Sequence, residues 1–77
     1  MSQVGGSYRS VARRIHEVVG GDRGLEVVLQ LLLGEADHTL AAVQSIHEQC
    51  AHEARQDPTW ERTAETVRAA IDTGLFR

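Results

Sequence analysis

Apolar residues recur at helical spacing along most of the chain. The longest run has an apolar residue every three or four positions: Leu25, Val28, Leu29, Leu32, Ala36, Leu40, Val43, Ile46, Cys50 and Ala54. This period matches the 3.6-residue turn and places these side chains on one face of an α-helix. One helix over about 22–56 is predicted, because the line continues through Gly34. The alternative is a break at Gly34, with Asp37 capping a second helix.

A shorter helix is predicted before this run. It covers about 7–19, follows a flexible segment 1–6, has Ser7 as its N-cap and ends at two adjacent glycines. Asp22 is the expected N-cap of the central helix. The apolar face of the first helix comprises Tyr8, Val11, Ile15, Val18 and Val19.

A third helix is predicted over about 58–73. Proline disfavours helix in the residue before it and suits a first turn, so Pro58 separates this helix from the central one. Gly74 is the expected C-terminal cap, after which Phe76 folds back with its neighbour Leu75 as apolar cover. The predicted apolar face comprises Trp60, Ala64, Val67, Ile71 and Leu75.

These elements predict one all-α domain over residues 1–77. The expected architecture is a small antiparallel bundle of three helices, or of four if Gly34 breaks the central one. A domain of 77 residues buries only about 60% of its unfolded surface, so a monomer is marginally stable. We therefore expect the bundle to be completed by dimerisation.

Charge is distributed unevenly along the chain. The formal net charge is −3 and all eight cationic residues are arginine. Residues 1–24 hold four arginines against two acidic residues, whereas residues 25–57 hold one against six, so the first helix is expected to lie against the central one. An acidic chain is not a general nucleic-acid binder. The alternative is a regulator that contacts phosphates through Arg9, Arg13 and Arg14.

Other sequence features concern the compartment. Cys50 is the single cysteine, which excludes an internal disulfide and fits a reducing environment. No leader-like segment is recognised, and the longest apolar stretch, Val27–Leu33, is far shorter than the roughly 20 residues that cross a bilayer. The expectation is a cytoplasmic protein with no membrane contact.

No motif indicates catalysis. His47 and Cys50 are three residues apart, a separation that suits a metal, but both fall on the apolar face, where they are expected to be core residues. A thiolate nucleophile needs an electropositive, partly exposed setting, whereas Cys50 lies in an acidic segment. We therefore predict no enzyme, no cofactor and no metal, with His47 and Cys50 as weak candidates for a metal or redox protein.

The central run has more apolar surface than one face requires. Val27 and Leu31 lie four apart, on a second side of the predicted helix. Steps of seven continue this side to His38 and Ser45, and Ala42 belongs to the same predicted interface. The interpretation is a non-enzymatic interaction or regulatory module that binds a second copy of itself and another protein. The alternative is that the short helices cover both sides.

The same side suggests a histidine pair between two copies. His38 and His52 are equally spaced about Ser45. If two copies cross antiparallel at Ser45, His38 of one approaches His52 of the other. Such a dimer would be weakened by protonation near pH 6 or strengthened by zinc.

Overall fold

The described part of the chain folds into four α-helices. A computed structural model describes residues 3–20, 24–35 and 37–76, with side chains from residue 8 onward. The helices are α1 (Gln3–Gly20), α2 (Leu25–Leu33), α3 (Leu40–Ala54) and α4 (Trp60–Asp72). Within these ranges there is no strand, so the predicted all-α class is confirmed. No helix among the described residues combines the length and apolar character needed to cross a membrane.

The first helix is longer than predicted. α1 begins at Gln3, so residues 3–6 are helical and their assignment to a flexible segment was wrong, as was Ser7 as N-cap. Residues 1–2 lie outside the described ranges, as does the predicted cap Asp22. Val11, Ile15 and Val19 of α1 are buried as predicted, whereas Tyr8 and Val18 are half-buried and the buried Ala12 was not predicted.

The predicted central helix is divided. The structure ends α2 at Leu33 and begins α3 at Leu40, so one continuous helix over 22–56 is wrong for this fold and the break is correct. Such a helix would be about 50 Å long at 1.5 Å per residue. The longest dimension of the folded chain is 29 Å. Half of a continuous helix would therefore extend beyond the other elements and lose their cover.

Local hydrogen bonds make the break. Gly34 is still right-handed helical (φ −80°, ψ −10°), so the glycine is not where the helix direction changes. Thr39 is extended (φ −72°, ψ 161°) and its hydroxyl accepts from the Ala42 N–H, which caps α3. The same hydroxyl donates to the Asp37 carboxylate at 3.1 Å. Asp37, the predicted N-cap, therefore does not cap α3 itself. Its carboxylate accepts a hydrogen bond from Thr39, the residue that does.

The apolar line nevertheless keeps its direction across the break. Val28 and Leu32 of α2 are buried, and so are Val43, Ile46 and Cys50 of α3. Both helices turn the predicted face towards the core. Of the other predicted line residues, Leu25, Leu29, Leu40 and Ala54 are half-buried, and Ala36 lies outside the described residues. The hydrophobic pattern thus identified half of the line as fully buried while overestimating the length of the element that carries it.

The last helix begins after a turn at Asp57. The hydroxyl and backbone N–H of Thr59 both donate to the Asp57 carboxylate, at 2.7 and 3.1 Å, and α4 starts at the next residue. Gly74 has φ of +79°, the left-handed conformation expected of a glycine cap. Phe76 is buried as predicted, whereas Leu75 is 55% exposed and does not cover the core.

The buried face of α4 is rotated from the predicted one. Thr63, Val67 and Ala70 are fully buried, while Ala64 and Ile71 are only partly buried against the core. The predicted series shares only its central residue, Val67, with the fully buried set. The reason is that α4 packs on α1 and α2 as well as α3, so its contact surface is wider than one line of residues.

One apolar core joins all four helices. α3 and α4 form the most extensive pair and run antiparallel, because the start of α3 lies beside the end of α4 around Gln44 and Arg68. α1 packs on each of the other three helices. α2 packs on α1 and α4 at the edge of the bundle. The first helix thus lies against both halves of the acidic central segment, as its charge predicts.

Candidate functional site

The surface of α2 carries the largest excess of apolar side chains. Seven of its nine residues are leucine or valine, yet only Val28 and Leu32 are buried. Leu33 is 43% exposed. The four remaining aliphatic residues, Leu25, Val27, Leu29 and Leu31, are half-buried.

The predicted pair on the second side of α2 differs in burial environment. Leu31 packs against the core cluster, so part of its side chain is already covered by the same chain. Val27 is half-buried but does not belong to that packing set. Val27 is therefore the better probe of a surface contact, since changing it disturbs the core less.

The other predicted interface residues do not form one surface with this pair. Ala42 is only 2% exposed, so the chain itself covers it and it presents no surface to a partner. His38 is exposed in the link before α3, with Nδ1 2.8 Å from the Glu35 carbonyl oxygen. Ser45 is half-buried on α3 and donates to the Ala41 carbonyl. Only Val27 and Leu31 lie on α2.

The predicted pairing of two histidines assumes one continuous helix, whereas the structure has a break between α2 and α3. His38 belongs to the non-helical link, while Ser45 and His52 lie on α3. The two histidines are therefore not equally spaced along one helix about Ser45. The predicted pairing of His38 with His52 across an antiparallel dimer has no basis in this fold.

The weak metal candidates occupy different environments. Cys50 is fully buried, and burial, reinforced by the nearby Glu53 carboxylate, raises the pKa of its thiol to about 12. His47 is half-buried and lines a surface cleft with Glu48, Arg68 and Asp72. Within the described ranges, no three His, Cys, Asp or Glu side chains come together in a way that could hold a metal ion.

The basic residues of α1 are not a continuous free patch. Arg14 forms an ion pair with Glu35, with 2.6 Å between Nη2 and Oε2. Arg9 and Arg13 are exposed and line a depression that also contains the acidic Glu53. Phosphate recognition from this face would therefore compete with carboxylates of the same chain.

A second polar contact joins α1 to the link between α2 and α3, residues 34–39. The Tyr8 hydroxyl donates to the Asp37 carboxylate at 3.1 Å, and this hydrogen bond is the main reason why the pKa of Tyr8 is raised. Together with Arg14 and Glu35, it joins α1 to both sides of residue 36. Both contacts are exposed, so each contributes little stability by itself.

The most specific polar arrangement was not predicted from the sequence. The rings of His16 and Trp60 are stacked, with centroids 3.9 Å apart and 5° between their planes. Nδ1 of His16 lies 2.8 Å from the Thr63 hydroxyl oxygen, and Thr63 is fully buried. One histidine thus satisfies the buried hydroxyl of α4 and covers its only tryptophan.

This histidine also borders a cleft. The cleft, of about 800 Å³, lies between the end of α1 and the start of α4 and is lined by His16, Val19, Gly20, Pro58, Thr59, Glu61, Arg62 and Glu65. At its rim, the two Thr59 hydrogen bonds hold the pKa of the Asp57 carboxyl below its usual range, with a further contribution from His16. The lining mixes both charge signs and indicates no particular ligand.

Comparison with known proteins gives no relative from which to infer a role. No family model, no curated protein and no solved structure matches this chain.

Proposed function

We propose that this chain is a small non-enzymatic interaction module with a regulatory role, which acts through the apolar surface of α2. The observation that supports the proposal is the burial pattern of that helix. Seven of nine residues are aliphatic, and five of these seven keep exposed surface after the other three helices have packed. Contiguous exposed apolar surface on a small protein is typical of a binding site.

The contact surface is centred on Val27. It lies on the flank of α2 that contributes least to the core, with Leu31 one turn away. Gln30 is exposed between the two flanks and supplies the polar edge that interfaces have around an apolar centre. A partner that covers Val27 would remove apolar surface from water without disturbing Val28 or Leu32.

The first partner that we propose is a second copy of the chain. One self-complementary helix face, repeated by a two-fold axis, is the commonest way in which small proteins associate. A domain of this size also gains proportionally more from extra burial than a large one. A different protein with an apolar helix face would use the same surface of α2.

Two observations support a non-enzymatic role over the other candidates. A thiol with a pKa of about 12 is protonated at neutral pH and is a poor nucleophile or metal ligand. Arg14, central to the proposed nucleic-acid face, is paired with Glu35. The reduced single cysteine fits the cytoplasm, where we place the module.

A pair of glutamate substitutions on α2 tests the surface. Val27→Glu places a charge at the proposed contact, whereas Gln30→Glu adds the same charge to an exposed position of the same helix. Light scattering with sedimentation should show concentration-dependent dimers for the wild type and Gln30→Glu, and monomers for Val27→Glu. Circular dichroism should show equal helix content in all three.

The contrary results are equally clear. If Val27→Glu and Gln30→Glu associate identically, α2 is not the contact surface. If the wild-type chain is monomeric at every concentration, the second copy is not the partner. The proposal requires Val27→Glu to lose association while keeping the helix content of Gln30→Glu. If Val27→Glu loses both association and helix content, unfolding is the cause and the contact assigned to Val27 is rejected.

A further inference from the structure

The link between α2 and α3 has the properties of a hinge. We propose that the link can become helical, so that α2 and α3 join into one helix and two copies exchange their α1–α2 halves. The exchanged form is a domain-swapped dimer in which α1–α2 of each chain pack on α3–α4 of the other. This inference goes beyond the proposed function, because it does not use the outer surface of α2.

The helical phase of the buried residues continues across the link. The fully buried members of the core cluster nearest to the link on either side are Leu32 and Val43. They are eleven residues apart, which is three helical turns to within about 20°. A continuous helix would therefore place both side chains on one face, and in the folded monomer both are buried in the same core.

The described residues of the link contribute little to the core. Gly34, Asp37, His38 and Thr39 are all exposed. The contacts that hold this segment to α1 are the exposed pairs of Tyr8 with Asp37 and of Arg14 with Glu35. Such contacts are weak in water, so changing the conformation of the link costs few interactions of the folded state.

The backbone of Gly34 and Thr39 is compatible with a joined helix. Gly34 is right-handed helical, and its N–H already bonds to the Gln30 carbonyl as in a continuing helix. Thr39 has φ of −72°, which is a helical value, and departs from the helix only in ψ. No proline occurs between Leu33 and Leu40. Rotation of ψ at Thr39 releases the cap, and residues 37 and 38, which are non-helical in the monomer, must become helical with it.

A second copy is required because the joined helix is longer than the monomer. A helix over residues 25–54 would be about 45 Å long, against a longest dimension of 29 Å for the monomer. Its two halves cannot share one set of partner helices, but each half can be covered by helices of another chain. All core contacts are then kept, including that of His16 with Thr63, and only the link differs.

Two substitutions of Thr39 separate the hinge from the cap. Both Thr39→Ala and Thr39→Pro remove the hydroxyl that caps α3. Alanine permits helix at this position, whereas proline forbids it within a helix. Proline fits the monomer, because φ is −72° and none of the described hydrogen bonds uses the Thr39 N–H.

The two variants should therefore diverge in mass. After refolding at high concentration, Thr39→Ala should dimerise about 25-fold more strongly than the wild type, because losing an N-cap weakens each of the two monomers about fivefold. Thr39→Pro should not form the exchanged dimer: combined with Val27→Glu, which removes the α2 contact, it should be monomeric by light scattering under the same conditions, whereas Thr39→Ala with Val27→Glu should still dimerise. Unchanged association of Thr39→Ala, or equal association of both variants, would overturn the proposal.

A mixing experiment shows whether a dimer is exchanged. In the Thr39→Ala background, Ile15→Asp disrupts the core side of α1 and Val67→Asp that of α4. If the halves exchange, the mixed dimer has one lobe with both substitutions and one with neither. Co-refolding should then give more helix, by circular dichroism, than the sum of the two chains refolded separately. A mixture equal to that sum would reject exchange.

Formation of the exchanged dimer does not depend on the outer surface of α2. Val27→Glu should leave the exchanged dimer of Thr39→Ala intact, and Thr39→Pro should leave association through α2 intact. If the variants of one test behave as expected and those of the other do not, the proposal examined by the second test is the wrong one. A loss of Thr39→Ala association on adding Val27→Glu would show that its dimer is the surface contact and not the exchanged form.

Discussion

Nδ1 of His16 lies 2.8 Å from the hydroxyl oxygen of Thr63, across 47 residues of sequence. Thr63 is fully buried, and His16 is the hydrogen-bond partner of its hydroxyl among the described residues. The imidazole therefore connects α1 to α4 through a polar contact at the edge of an otherwise apolar core. A buried hydroxyl that loses its partner costs more than the bond itself contributed, which makes this pair a suitable place to test the packing.

We expect His16→Phe to destabilise the chain by about 1–3 kcal/mol. Phenylalanine can keep the stack on Trp60 but cannot bond to the Thr63 hydroxyl. Adding Thr63→Val removes the unsatisfied hydroxyl and should restore most of the loss. Urea unfolding followed by fluorescence of Trp60, the only tryptophan, measures both. An equal loss in the single and double variants would show that the hydroxyl is not the cause.

The Cys50 thiol should make stability depend on alkaline pH. Burial raises its pKa from 9.0 to about 12, so the neutral thiol is favoured in the folded state. This contribution is present below pH 9 and is lost as the pH rises from 9 towards 12. Denaturant midpoints should therefore fall more between pH 8 and pH 10.5 for the wild type than for Cys50→Ala. Parallel decreases would contradict the assignment to Cys50.

Two adjacent leucines of α2 should differ sharply. Leu32 is 1% exposed and Leu33 is 43% exposed. Leu32→Ala leaves a cavity in the core and should cost about 2–5 kcal/mol. Leu33→Ala removes mostly solvent-facing surface and should cost less than about 1 kcal/mol. Chemical denaturation compares them directly, and similar losses would mean that α2 faces the core differently.

Two glycines provide a similar comparison of backbone conformation. Gly74 has φ of +79°, so Gly74→Ala should destabilise the chain by about 1 kcal/mol, since left-handed residues strain a Cβ. Gly20 ends α1 with open space around the position of a Cβ. Gly20→Ala should be neutral or stabilising. Thermal unfolding midpoints order the two variants, and a reversed order would exclude the left-handed cap.

The helical pattern predicted much of this fold because burial and period are directly linked. Val28, Leu32, Val43 and Ile46 were all placed correctly on the inner face. The hydrophobic pattern favoured a continuous helix over the break between α2 and α3. The break depends on the local hydrogen bonds of Thr39, about which the spacing of apolar residues carries no information. A continuous phase is compatible with either one helix or two.

The polar contacts of the core could not be predicted in the same way. His16 and Thr63 are brought together by the packing of two distant helices, and period carries no information on which helices are neighbours. One signal was present in α4, since Trp60, Thr63, Val67 and Ala70 alternate at spacings of three and four. That series competes with the one through Ala64 and Ile71, and a threonine is a weak reason to prefer it.

The contacts of α1 have a consequence for synthesis on the ribosome. α1 is made first, yet it packs on each of the three helices that follow. Its apolar face therefore has no complete partner until α4 and the buried Phe76 have left the exit tunnel. At typical translation rates of about 5–20 residues per second, α1 remains uncovered for several seconds. During that interval a neighbouring nascent chain or a chaperone can bind the face that later closes the bundle.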